Sequence, residues 1–169
     1  VSVIKSRQAG ITTVILYYVA SLMKFSNDKK SIAYFGFNNS ASESFLKQLG
    51  FLLRGYCENN LRVNKKDLYL EGSYFKTIQD YYKLTGARFD VIIIDEADNM
   101  LNTNGSWFFH GETQDKGWLN YILERPGTRM IWITNSISEI DESVLRRFTF
   151  SIKFKPFSNR QRVQLWDNI

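Results

Sequence analysis

The sequence has few of the residues that build disulfide frameworks and metal centres. Its 169 residues include one cysteine, Cys57, and one histidine, His110. A single cysteine excludes a disulfide framework within this sequence, so we expect a reducing compartment such as the cytoplasm. His110 has no cysteine or histidine partner at metal-ligand spacing, so we assign it no metal.

Long hydrophobic runs are missing as well. The longest, residues 11–23, contains threonine and tyrosine and is too short to cross a bilayer. We therefore expect no contact with a membrane, and no signal peptide is apparent. The sequence starts within an apolar run and stops within a helical pattern, so we expect it to be an excerpt of a longer protein.

The overall composition indicates a globular domain. Hydrophobic residues make up 44% and charged residues 23% of the sequence, and its length suffices for one domain with a sizeable core. The formal net charge of +5 is compatible with an anionic ligand such as nucleotide or DNA but identifies neither.

One stretch, residues 89–98, has the sequence FDVIIIDEAD. The β-branched residues Val91–Ile94 predict a strand that is buried on both faces, as in a parallel sheet. Asp95 and Glu96 follow at the carboxyl end of this strand, where open α/β sheets bind ligands. The pair suits a Mg²⁺-nucleotide site, in which the first acid holds the hydrated metal and the second polarises an attacking water. The alternative is a strand that simply ends in a polar turn.

A loop near the start has the context of a phosphate-binding loop. Residues 5–13, KSRQAGITT, lie between a predicted strand at 1–4 and a predicted helix at 12–23. Compared with G-x-x-x-x-G-K-[ST], the second glycine (Gly10) and the hydroxyl (Thr12) are present, but Ile11 replaces the lysine. Lys5 or Arg7 could supply the missing charge; otherwise the loop no longer binds phosphate tightly.

The remaining pattern predicts further strands and helices in alternation. We expect strands at residues 31–37, 91–94, 129–134 and 150–154, and helices at residues 42–56, 73–84, 116–125, 142–146 and 159–168. Serines or Asp141 would cap three of these helices: Ser40 or Ser42, Ser138 or Asp141, and Ser158. Residues 58–72 are an insertion or a short hairpin. The aromatic loop at residues 102–115 is expected to pack locally rather than contact a partner or nucleic acid.

Five strands alternating with helices predict a three-layer α/β/α sandwich around a mostly parallel sheet. Two strand ends would then converge, one with Asp95 and Glu96, the other with Thr134 and Asn135. If these strands are neighbours, Asn135 lies beside the acids and can orient a water near a γ-phosphate.

The second half of the sequence resembles the AAA+ ATPase family. Residues 133–162 match, without gaps, a family pattern of T-N, a short loop, D-x-x-x-L-R-R-F, a strand and Q-R. Residues 95–98 match the Walker B motif, and Asn135 stands at the sensor-1 position. Residues 116–124 look like the helix that precedes the sensor strand in some members.

This resemblance implies a P-loop NTPase core at residues 1–157 with strand order 5-1-4-3-2. Residues 158–169 would begin a helical lid whose remainder is missing. The implied cofactors are ATP and Mg²⁺, the metal being held by Thr12 and Asp95. Nucleotide would be bound by Lys5, Gln8, Ala9, Gly10, Ile11, Thr12 and Thr13. The implied catalytic residues are Asp95, Glu96, Asn135, Arg146 and Arg147.

The implied function is an ATPase that remodels a protein or nucleic acid within a homo-oligomer, either a ring or a helical filament. Arg146 or Arg147 would act as an arginine finger on the nucleotide of a neighbouring subunit. The alternative role for both arginines is to neutralise a helix C-terminus.

Two departures from the AAA+ pattern leave rival interpretations open. Ile11 replaces the lysine, and the loop lies farther from Asp95 along the chain than in simple members, although clades with an extra segment, such as replication-initiator and transposition ATPases, have room for it. Residues 5–13 also resemble the phosphate loop of viral DNA-packaging terminases, some of which carry the lysine where Lys5 stands. That interpretation predicts a DNA-translocating ATPase, although residues 145–148, LRRF, favour AAA+. A third possibility is a degenerate module that does not hydrolyse nucleotide and serves as an assembly surface.

Overall fold

The structure is a computed structural model that describes residues 2–4, 10–36, 38–56, 60–80, 83–95, 97, 114–138, 140, 142–154 and 158–161. The strands within these ranges are β1 (Ser2–Ile4), β2 (Ser31–Phe35), β3 (Leu61–Val63), β4 (Asp67–Leu70), β5 (Ser73–Ile78), β6 (Val91–Ile94), β7 (Arg129–Thr134) and β8 (Ser151–Lys153). The helices are α1 (Ile11–Phe25), α2 (Asn39–Arg54), α3 (Lys83–Gly86), α4 (Gln114–Leu123) and α5 (Glu142–Leu145).

All of these strands join one sheet in the order β3-β4-β5-β2-β6-β7-β1-β8. The six strands from β5 to β8 pair in parallel, whereas β3 and β4 form an antiparallel hairpin that extends the sheet beyond β5. Read from β8 to β2, the five strands predicted from the sequence have the order 5-1-4-3-2. The mostly parallel α/β fold and this strand order are therefore confirmed.

The sheet has three strands more than the predicted five, namely the hairpin strands β3 and β4, and β5, which was wrongly predicted to be part of a helix. Phe75 and Ile78 lie three residues apart, which fits a helix, but Ser73–Ile78 is strand β5. Phe75 pairs with Ile32 of β2 and is completely buried. Backbone pairing with β2 decides the conformation, and this non-local interaction cannot be read from local spacing. The helical structure described near the end of this segment is the short α3.

The hairpin suggested for residues 58–72 is confirmed by β3 and β4. The predicted start of the helix at residue 42 was wrong, because α2 begins at Asn39. The Asn38 side chain accepts a hydrogen bond of 2.8 Å from the Ala41 N–H and is the N-cap, in place of Ser40 or Ser42. Ser42 is instead buried within the first turns of the helix.

Other predicted boundaries differ from the observed ones by a few residues. Ser158 does cap a helical turn: its hydroxyl accepts from the Gln161 N–H, and the Gln161 side chain accepts from the Ser158 N–H. The rest of the final helix, the aromatic loop at residues 102–113 with His110, and the possible cap Asp141 lie outside the described residues. The division between a core and a lid at residue 158 stays a prediction.

Helices cover both faces of the sheet and create two separate cores. On one face, α1 and α2 bury side chains such as Val19 and Leu49 against Ile32 and Ile93. On the other face, α3, α4 and α5 pack on the alternate side chains of the same strands, including Ile92 and Trp132. None of the described helices is long and apolar enough to span a membrane.

Candidate functional site

Three segments with polar residues leave the sheet at one rim. Strands β1, β7 and β6 are adjacent and parallel, so their carboxyl ends share an edge. Asp95 follows β6, Asn135 follows β7, and the chain that leaves β1 enters helix α1 at Gly10. The Asp95 N–H donates to Phe35 O at 2.9 Å, which extends strand pairing to the aspartate itself. The rim of β1, β6 and β7 is therefore the candidate site.

Gly10 makes the turn that starts α1 at this rim. Its φ of 66° lies in the left-handed region, where another residue would cost about 1–2 kcal/mol. The Gly10 carbonyl accepts from the N–H groups of Thr13 and Val14 at 3.0 and 3.2 Å, which begins the helix. The N-terminus of this 15-residue helix directs its N–H groups and its positive dipole end toward the rim.

Ile11 faces away from the rim. Its side chain is only 2% exposed and belongs to the apolar core that also contains Ile15 and Ile133. The position that carries lysine in the usual phosphate loop therefore contributes to packing in this chain and supplies no charge. A cation that neutralises bound phosphate must come from another residue. The two candidates from the sequence, Lys5 and Arg7, lie outside the described residues.

Asp95 is buried at the rim and turned toward α1. Side chains alternate along β6, so that Ile93 packs on the α1 side, Ile94 on the opposite side, and Asp95 again on the α1 side. The Thr12 hydroxyl lies 3.5 Å from Asp95 Oδ2, although 83 residues separate them in sequence. This distance is too long for a strong hydrogen bond, so the two groups are close without binding each other tightly.

The chemistry of this oxygen pair fits Mg²⁺. A carboxylate and a hydroxyl are hard oxygen donors, and Mg²⁺ in nucleotide sites binds one or two carboxylates, keeps several waters and takes its other ligands from phosphate. Among the described residues, no three His, Cys, Asp or Glu side chains form a cluster that would hold a metal without such help. Thr12 and Asp95 are thus the residues that would hold Mg²⁺ brought by a nucleotide.

Asn135 is exposed on the turn that follows β7. The turn is held by Thr134, whose hydroxyl donates to Ser136 O at 2.7 Å and accepts from the Ser136 N–H at 3.2 Å. Thr134 is buried, so its hydroxyl serves the turn while the next side chain is accessible to solvent. This arrangement places an amide at the rim, where it can bind a water or a ligand oxygen.

The two arginines after α5 have different surroundings. Arg146 forms an exposed ion pair with Glu142 one turn earlier, at 2.8 Å. Arg147 is exposed and reaches α4 and the residue after it: it donates to Asn120 of the helix and pairs with Glu124 at 3.2 Å. The guanidinium of Arg147 thus joins two elements of its own chain, whereas that of Arg146 pairs within its own helix.

Lys5, Gln8, Ala9 and Glu96 lie outside the described residues, so their roles stay predictions.

One residue at the site, Tyr34, was not predicted from the sequence. Its hydroxyl donates to Asp95 Oδ2 at 3.0 Å from a position that is 1% exposed. The signal was present: a tyrosine one residue before the end of a strand buried on both faces must find a polar partner at that rim.

Several solved structures have a fold similar to that of this chain. The large terminase of a thermophilic bacteriophage superposes with a TM-score of 0.61 at 12% identity, over 98% of this chain and 44% of the terminase. The same terminase in complex with ATP-gamma-S gives a TM-score of 0.58, at 12% identity over 97% of this chain and 42% of the terminase. The N-terminal domain of the DNA packaging ATPase of bacteriophage phi29 gives 0.57 at 13% identity, over 94% of this chain and 90% of that domain.

The chain shares the fold of these terminase and packaging ATPase domains, a mostly parallel sheet with helices on both faces. The chain spans less than half the length of the large terminase, and at these identities the similarity establishes the fold alone. No protein-family model and no curated protein matches the sequence. The AAA+ resemblance of residues 133–162 therefore stays a prediction, while the resemblance of residues 5–13 to terminases agrees with the fold comparison.

Proposed function

We propose that this chain is an ATPase module of the terminase type, which binds MgATP at the rim of β1, β6 and β7 and acts on DNA within an oligomer. The observation that carries the proposal is the meeting of Thr12 and Asp95. A hydroxyl in the first turn of α1 and a buried carboxylate after β6 lie 3.5 Å apart, where a parallel sheet binds ligands.

Each part of the site has a role in this proposal. The turn at residues 10–13 and the N-terminus of α1 hold the phosphates, together with Lys5, Gln8 and Ala9 of the preceding loop. Thr12 and Asp95 hold Mg²⁺, which when bound supplies positive charge beside the phosphates. Glu96 accepts a proton from the attacking water, and Asn135 orients that water.

The terminase type is preferred over the AAA+ type because of Ile11 and the fold comparison. Because Ile11 is part of the core, a phosphate-binding cation has to come from another residue; Lys5 at the front of the loop is the proposed source, with Arg7 as the alternative. The solved structures with this fold include a terminase bound to ATP-gamma-S and a DNA packaging ATPase, which supports ATP as ligand and DNA as substrate. A remodelling ATPase of the AAA+ type remains the alternative that residues 145–148 favour.

The proposal is tested by measuring MgATP binding and hydrolysis in two variants of the loop. We expect Lys5→Ala to lower hydrolysis by roughly 100-fold, because the charge that stabilises the transferred phosphoryl group is lost. We expect Ile11→Lys to restore nothing and to reduce stability by about 2–5 kcal/mol, because it removes a buried isoleucine and puts an ammonium group in its place. Arg54→Ala, at the exposed end of α2, is the matched control for loss of a cation.

Other outcomes identify the competing functions. Higher activity in Ile11→Lys would show a degenerate loop rather than a rewired one. An unchanged melting temperature of the unmodified chain at millimolar MgATP would favour a non-hydrolysing assembly module. Hydrolysis that DNA does not stimulate, with no salt-dependent DNA binding, would favour a remodelling ATPase with a protein substrate.

A further inference from the structure

Tyr34 forms a buried hydrogen bond with Asp95, the candidate metal ligand. Its phenolic O–H donates to Asp95 Oδ2 at 3.0 Å, and the same oxygen faces the Thr12 hydroxyl at 3.5 Å. Tyr34 is 1% and Asp95 8% exposed, so this contact is shielded from water. A shielded hydrogen bond to a carboxylate is strong, and neither partner can exchange it for water without moving.

The Tyr34 ring is held by elements that do not belong to the rim. It stacks on Phe45 of α2 with a centroid distance of 4.1 Å and an interplanar angle of 16°, and its centroid lies 6.4 Å from that of Phe75 in β5. Close packing continues at Gly36, where an added Cβ would lie 3.1 Å from a Tyr34 ring carbon and 2.7 Å from Ser42 Oγ. The phenol is thus fixed by strand β2 and helix α2 before any ligand binds.

This arrangement restrains rotation of the Asp95 carboxylate about its Cβ–Cγ bond. The Asp95 N–H donates to Phe35 O in β2, which anchors the backbone. The hydroxyl of Tyr34, the residue before Phe35, donates to the Asp95 carboxylate. An outer hydrogen-bond donor of this kind orients a metal ligand and affects metal affinity by roughly 10–100-fold.

We propose that Tyr34 is a positioning residue, whose hydroxyl holds the Asp95 carboxylate in the orientation that receives the Mg²⁺ of a bound nucleotide. This inference rests on the proposed function, because it requires that Asp95 binds the metal. It assigns to β2 and α2 a direct influence on metal affinity, beyond their contribution to the core.

The test is Tyr34→Phe, which keeps the ring and its stacking on Phe45 and removes only the hydroxyl. Binding of ADP is measured without metal by calorimetry, and binding of Mn²⁺ to the protein–ADP complex by electron paramagnetic resonance. We expect the affinity for Mn²⁺ to fall by roughly 10-fold or more, with the affinity for metal-free ADP unchanged. Raising Mg²⁺ should then return hydrolysis toward the rate of the unmodified chain.

The matched control is Tyr74→Phe. The Tyr74 hydroxyl also bonds an aspartate, Asp67 at 3.2 Å, but on strands β4 and β5 far along the sheet from β1. The control removes a tyrosine hydroxyl from a tyrosine–aspartate hydrogen bond, as Tyr34→Phe does, and should leave Mn²⁺ affinity unchanged. Equal losses in the two variants would overturn the proposal, because they would indicate a general effect on the sheet.

Failure of the inference differs from failure of the proposed function. If the unmodified chain binds ADP with Mn²⁺ and Tyr34→Phe binds it equally well, Tyr34 has no positioning role and the ATPase proposal stands. If Tyr34→Phe weakens the binding of metal-free ADP to the same extent as the binding of Mn²⁺, the residue is merely structural and the inference fails. If the unmodified chain binds neither ADP nor Mn²⁺, the proposed function is wrong and the inference falls with it.

Discussion

The two rims of the sheet use the same residue types in different ways. Strand β6 has an aspartate at each end, Asp90 before its first residue and Asp95 after its last. At the amino end, Asp90 accepts from both the N–H and the hydroxyl of Ser31 at 2.7 and 2.8 Å. At the carboxyl end, Thr12 approaches Asp95 only to 3.5 Å. At the amino rim, Ser31 binds its aspartate closely. At the carboxyl rim, the Thr12 hydroxyl lies near Asp95 without binding it tightly, and Tyr34 holds the same carboxylate oxygen from the buried side at 3.0 Å.

A threonine and two arginines extend the comparison. At the amino rim, Thr128 donates to Phe89 O at 2.9 Å, and Arg125 donates to the carbonyls of Leu84 and Ala87. Beyond the carboxyl rim, the guanidinium of Arg146 takes part in an exposed ion pair. The groups at the amino rim bind within their own chain and stabilise the fold, whereas the carboxyl rim presents the N-terminus of α1 and the exposed Asn135 to solvent. Residue type alone therefore does not separate structure from function in this molecule.

The sharpest test of this contrast replaces the two aspartates of β6 in turn. We expect Asp95→Asn to lower MgATP hydrolysis by at least about 100-fold, because a neutral amide is a poor ligand for Mg²⁺. Asp90→Asn should leave the rate per folded molecule unchanged, since its partners are at the opposite rim. Steady-state phosphate release measures both rates. Comparable losses in the two variants would mean that the rims are not functionally distinct.

Two arginines provide a comparison of stability. Arg125→Ala should lower the free energy of unfolding by about 3 kcal/mol, because two carbonyls lose a charged donor. Arg146→Ala should change it by less than about 0.5 kcal/mol, as expected for an exposed ion pair. Urea denaturation measures both values, and equal destabilisation by the two substitutions would contradict the contrast.

If Arg146 is an arginine finger, its loss lowers hydrolysis only in assembled protein, and mixing with Asp95→Asn subunits restores part of the activity.

The smallest expected effect concerns the pH dependence of stability. Hydrogen bonds from the Ser31 backbone N–H and, after the opposing effect of desolvation, from its hydroxyl hold the pKa of Asp90 below its usual 3.8. A lowered pKa in the folded state stabilises the fold fully above pH 3.8, and this contribution is lost as the pH falls through the folded-state value. The difference in unfolding free energy between the unmodified chain and Asp90→Asn should therefore narrow in acid. A difference that stays constant with pH would refute this assignment.

Much of the fold could be predicted because its signals are local. The buried run Val91–Ile94 and the helical spacing of apolar residues in α2 indicate their structures without reference to other segments. The parallel alternation then placed Asp95, Asn135 and the start of α1 at one rim. Strand β5 was missed, because its conformation depends on pairing with β2. Neither the core position of Ile11 nor the pairing of Arg147 with α4 has a local signature.

The sequence by itself determined which chemical groups stand at the ends of strands: an acid pair, an asparagine and a glycine-threonine turn. Their order along the chain and the alternation of strands and helices were enough for that, because strand ends and helix starts are local events. Only the tertiary structure decided which groups meet. Tyr34 and Thr12 converge on one carboxylate oxygen of Asp95 because β2, α1 and β6 pack together across long stretches of chain. Whether a polar residue is saturated or accessible depends on such non-local packing, and no single segment of the sequence contains that information.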